Sequence, residues 1–166
     1  MFFVTFGYVK TLLTYILSGL LTLSAWSLSA QDMPSVYLIG EHEASYEAMI
    51  NDHKELLLGV CNNSMDLAYE KWSGMLSQME QYADSIDYDI KGVKIWINIF
   101  WAQDGRIRHI VYYPKPNSKN IDFDRFTLFL KDFIGLYQME VEAPSGFSHY
   151  GSASFPTHLG MLAKDK

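Results

Sequence analysis

A chain of 166 residues is long enough for one domain with a substantial core and too short for two. Apolar residues make up 49% and charged residues 19%, which excludes a disordered chain, while a net charge of −6 excludes long-range attraction to nucleic acid or anionic membranes. The single cysteine, Cys61, excludes an intrachain disulfide framework.

Residues 1–30 read as a signal peptide. They hold no acidic residue, carry Lys10 ahead of the apolar run Thr11-Leu-Leu-Thr-Tyr-Ile-Leu-Ser-Gly-Leu-Leu-Thr-Leu23, and end in the small-x-small sequence Ser27-Leu-Ser-Ala30. Cleavage there leaves a periplasmic or secreted chain starting near Gln31 with no membrane span; the alternative is an N-terminal membrane anchor. No cysteine sits at the cleavage point, against N-terminal lipidation.

Residues 31–166 show no repeat or interdomain linker and read as a single domain. Val36-Tyr-Leu-Ile39 is an edge strand or packed extension, and a helix with an acidic first turn is expected over 44–55 before Gly59 to Asn62 break it. The clearest helix is expected over 64–85, with Asn63 as its cap and Asp66 at capping-box spacing. Its apolar stripe includes Met65, Ala68, Tyr69, Trp72, Met75, Leu76 and Met79, and the methionines are read as core filling between helix and sheet.

The centre of the chain is a hairpin over 93–113. Val93, Ile95, Ile97, Ile99 and Trp101 share one face of its first strand, and Lys94, Trp96, Asn98 and Phe100 share the other. Asp104-Gly105 supplies the turn. In the second strand, Ile107, His109, Val111 and Tyr113 alternate with Arg106, Arg108, Ile110 and Tyr112, a mixture that leaves the inward set open. Pro114-Lys-Pro-Asn-Ser-Lys-Asn120 follows as a restrained loop. Asp122 or Asp124 opens a helix over 123–137, and Phe147-Ser-His-Tyr-Gly-Ser-Ala-Ser-Phe155 is a last strand whose Gly151 and Ala153 admit close backbone approach or a ring packed across them. Pro156 stops it, and the last ten residues read as a loosely held tail. The expected fold class is therefore α+β: an antiparallel sheet centred on the hairpin, packed against the helices near 64–85 and 123–137.

Local positive charge, a proline-restrained loop and back-face aromatics coincide around the hairpin. Arg106, Arg108, His109, Lys115 and Lys119, with Trp96 and Phe100, are therefore the candidate binding residues of a non-catalytic domain contacting an envelope or extracellular protein or peptide. No catalytic residue, metal or cofactor follows from the sequence: His42-Glu43 lacks the second histidine of a helical zinc site, Gly151-Ser-Ala-Ser154 lacks the hydrolase-elbow context, and there is no phosphate loop or nucleic-acid motif. The alternative is a small hydrolase or metal-dependent enzyme in which His109 and His149 meet near carboxylates. Cys61 is expected to be buried and inert.

Gly92-Val-x-Ile-x-Ile-x-Ile99 followed by Asp104-Gly105-x-Ile107, with the helix and strand after it, resembles the C-terminal domain of the TonB energy-transducing family over about residues 86–156. The resemblance implies a periplasmic α+β domain whose sheet edge accepts an extended partner segment. The family's Tyr-Pro motif and its proline-rich spacer are missing here, and the 64–85 helix is additional. Asn62-Asn63, Tyr112-Tyr-Pro-Lys-Pro-Asn-Ser-Lys119 and Ser148-His-Tyr-Gly-Ser152 are also similar to stretches of small exported proteins of the Bacteroidetes, a likeness that implies no chemistry.

Overall fold

The computed structural model describes residues 33–119 and 121–157. The segment read from the sequence as a signal peptide and the tail beyond Thr157 lie outside the described residues, and everything below belongs to the unit that begins at Pro34. In chain order the elements are β1 (Val36–Leu38), α1 (Glu43–Asp52), β2 (Glu55–Leu56), α2 (Leu57–Val60), α3 (Met65–Ser85), β3 (Lys94–Trp101), β4 (Ile107–Pro114), α4 (Phe123–Leu136) and β5 (Phe147–Ser154).

The fold is α+β, with a five-stranded sheet in the order β1-β4-β3-β5-β2. The hairpin strand β3 is central, antiparallel to β4 on one side and to β5 on the other. The sheet is mixed rather than antiparallel throughout, because β1 joins β4 and β2 joins β5 in parallel. Both additions come from the segment before α3, which is connected to its neighbours over long chain separations that permit parallel pairing.

The inward face of β3 is the expected one: Ile95, Ile97, Ile99 and Trp101 are fully buried under α3 and α4. From α3 come Trp72, Met75, Leu76, Met79 and Ala83, and from α4 come Phe126, Phe129, Leu130 and Phe133. The mixed pattern of β4 has a physical cause. Trp101 pairs with Ile107 and Phe100 with His109, so one extra residue, Arg108, sits in β4 as a bulge. The phase of the side chains changes there, and Ile107, Ile110 and Tyr112 all reach the core although they do not share one alternating set.

The helix starts follow local chemistry. Ser64, not Asn63, caps α3, its Oγ accepting from Leu67 N–H at 3.3 Å, because Asn62 and Asn63 take left-handed backbone angles that asparagine tolerates. Asp122 caps α4, accepting from Arg125 N–H at 3.0 Å. The exit from β5 is pinned: buried Glu80 of α3 accepts from both the backbone N–H and the hydroxyl of Thr157, at 2.8 and 2.7 Å. The first residue of the expected loose tail is therefore held. At the opposite end Gly105, at φ 78°, closes the turn, donating to Ala102 C=O and accepting from Met139 N–H.

Candidate interaction site

The structure divides the residues selected from the sequence. Phe100 is not a contact surface: it is 0% exposed, because α1 lies over the outer face of β3 and sets Tyr46 and His53 edge-on to its ring. Asn98 is covered by the same helix, its Nδ2 donating to Tyr46 Oη at 3.1 Å. The cations do not form one patch. Arg106 and Arg108 lie at the turn end of β4 while Lys115 and Lys119 lie beyond its other end, nine extended residues or roughly 30 Å away. Arg106 pairs with Asp104 at 3.6 Å, both exposed, an interaction worth little in water. Arg108 borders a depression of about 750 Å3 that Asp104 and Glu142 also line, so no single sign of charge governs it.

His109 and His149 are not brought together. His109 pairs across the ladder with Phe100 on the outer face and donates from Nδ1 to Pro34 C=O at 3.2 Å. His149 pairs with Ile99 on the core face, its ring 4.6 Å from that of Trp72. Burial lowers the pKa of both imidazoles; the Pro34 carbonyl works against that at His109. Among the described residues no group of three His, Cys, Asp or Glu side chains could hold a metal. Cys61 is buried, and burial pushes its thiol up, away from reactivity.

Two of the selected residues do assemble. Trp96 stacks on Tyr113 with ring centroids 6.3 Å apart, and Lys115 Nζ sits 5.7 Å from the Trp96 ring. Beyond the reach of α1 these three form an open aromatic shelf on the outer face. The cross-strand neighbour of Trp96 on its other side is Ser152 of β5, so the shelf runs to the margin of the sheet.

That margin is what sequence reasoning missed. Phe155 N–H donates to Val93 C=O and Phe155 C=O accepts from Gly92 N–H, both at 2.9 Å, so the odd-numbered residues of β5 turn their backbone groups to β3. By the two-residue period, Tyr150, Ser152 and Ser154 turn theirs outward. The neighbouring strand β2 reaches only Phe147 and Ser148. From Tyr150 to Ser154 the outer edge of β5 thus has no strand beside it among the described residues. The other edge of the sheet is blunted: β1 is three residues long, and its outward Leu38 N–H is taken by Glu41 Oε2 at 3.0 Å.

Beside the free edge, α3 forms the wall of an apolar cleft. A cavity of about 410 Å3 is lined by Leu56, Leu58, Met65, Ala68, Tyr69, Trp72, His149 and Tyr150. A smaller one of about 200 Å3 continues it along the strand, lined by Tyr69, Trp72, Ser73, Leu76, Ser152, Ser154 and Thr157. Leu56, Met65, Tyr69 and Tyr150 are 56%, 69%, 64% and 59% exposed, a concentration of large apolar side chains at one place on the surface. Met65 is therefore not core, in contrast to Met75 and Met79. Gly151 brings wall and edge this close: a Cβ there would lie 2.8 Å from Trp72 Cζ2. The available signal was the stripe of α3, which continues through Met65 and Tyr69 beyond the turns that pack on the sheet.

No family model, curated protein or solved structure matches this chain.

Proposed function

We propose that this chain is an exported, non-catalytic interaction domain that binds an extended segment of an envelope or extracellular protein by adding it as a strand to β5. The observation that carries the reading is the row of outward N–H and C=O groups at Tyr150, Ser152 and Ser154 beside an apolar cleft. Backbone groups supply affinity to any extended chain, and pockets for alternate side chains supply selection. Export rests on the sequence of residues 1–30, and the resemblance to the TonB C-terminal domain points to the same mode of contact. Among the described residues no helix is long and apolar enough to cross a membrane.

A photo-crosslinking residue in place of Tyr150, in cells expressing the full chain, tests this. A defined adduct is expected, and Ser152→Pro, which removes an outward N–H without touching the bonds to β3, should abolish it. The same probe at Leu128, on the exposed side of α4, should give no such adduct. An adduct at Tyr150 that survives Ser152→Pro would refute strand addition.

A further inference from the structure

Resting on that reading of β5, we infer that the accepted segment carries a large apolar or aromatic side chain and, two residues along, a small one, both facing α3, with a basic residue beside them.

The first part follows from the cleft. A strand added about 4.8 Å outside β5 sends alternate side chains toward α3, about 7 Å apart. The two cavities have that relation: they lie in sequence along β5, share Tyr69 and Trp72 as the partition, and differ in volume, about 410 against 200 Å3. The larger is closed by Leu56, Met65 and Trp72, with no charged side chain in its lining. His149 there is held neutral by burial and makes no hydrogen bond in the described structure, so it too presents a weakly polar ring edge. A phenylalanine, leucine or methionine fits such a lining; the smaller cavity, with about half the volume, takes an alanine, serine or threonine.

The second part follows from charge. Asp66 and Glu70 stand one helical turn apart on α3, both exposed, in the row next to Met65 and Tyr69. Neither has an ion pair among the described residues. The nearby cation Lys71 acts on Cys61, on the α2 side. The rim on the solvent side of the cleft is therefore acidic, in a chain of net charge −6, and complements a lysine or arginine. A second copy of this chain is a poorer occupant. Its own β5 would offer Gly151 and Ala153 to the cleft, its His149 being packed on its own Trp72, and would bring a second acidic rim.

Fluorescence anisotropy on the protein expressed from the full chain provides the test, with three labelled eight-residue peptides. The first has Phe and Ala two positions apart, Thr and Val at the other inner positions and Lys at both ends; the second replaces Phe by Gly; the third replaces both Lys by Glu. The first should bind, the other two should bind about tenfold or more weakly, and Tyr69→Ala, at an exposed position, should weaken the first by a similar factor. Equal binding of all three, lost in Ser152→Pro, would overturn this inference and leave strand addition standing. Binding unchanged by Ser152→Pro would overturn strand addition itself. No binding by any peptide, with a dimer in sedimentation that Ser152→Pro dissociates, would assign the edge to self-association and overturn the inference.

Discussion

At the scale of single residues, two contacts decide how the free edge is presented. Gly151 lets Trp72 lie across β5, and a methyl group there would meet Trp72 Cζ2 at 2.8 Å and His149 Nε2 at 3.1 Å. Gly151→Ala should cost about 1–3 kcal/mol, read as a lower urea midpoint, because a close-packed site must shift to admit it. Glu80 fixes the chain just past β5 through two bonds to Thr157. Glu80→Ala leaves those donors without the carboxylate and should cost about 3 kcal/mol. Faster amide exchange at Phe155 and Thr157 than at Ile97 would place the loss at this end of the sheet; uniform exchange would refute the assignment.

At the scale of elements, the bulge in β4 and the cover by α1 account for the departures from simple alternation. Arg108 is the extra residue, and its removal would join Ile107 to His109 in a regular ladder with Ile107 still facing the core. Deleting Arg108 should therefore leave a cooperative thermal melt and a native-like hairpin in NMR spectra. Deleting Ile110 should lower the melting temperature sharply, since the bulge takes up the lost residue only by sending His109 into the core position of Ile110. On the outer face α1 is a thin cover with Met49 as its one buried residue. It closes over Asn98 and Phe100 and leaves Trp96, Tyr113 and Lys115 in contact with solvent, which is why the back-face aromatics separate into a packed half and an open half.

At the scale of the whole molecule, burial of titratable groups limits stability from both sides of neutral pH. His109 and His149 are held below their ordinary pKa, so the unfolded chain takes up protons first as pH falls through about 6.5. Stability is then present above that value and lost on acidification, and His149→Gln should flatten the slope of urea midpoint against pH between 7 and 5. Tyr37 and Tyr137 are pushed up to about 12 by burial, with Tyr46 and Glu140 adding to it. Between pH 10 and 12 the unfolded chain loses phenolic protons first, so stability declines as pH rises. A spectrophotometric titration should find these two phenols ionising last, and only as the protein unfolds.

The sequence by itself determined the periodic elements: the inward set of β3, the Asp104-Gly105 turn, a helix opened by Asp122 or Asp124, the stripe of α3 from Trp72 onward and the small-residue face of β5. Each of these is a local regularity, set by side-chain spacing or turn chemistry within a few residues. The tertiary structure decided what depends on distant pairing. It set β1 and β2 parallel to β4 and β5, buried Phe100 under α1, parted Arg106 from Lys115, sent His109 and His149 to opposite faces, and ended β2 after two residues. The physical reason is the same throughout: a strand carries outward backbone groups whatever its neighbours, and only the arrangement of the whole sheet determines whether Tyr150, Ser152 and Ser154 meet another strand or remain open beside α3.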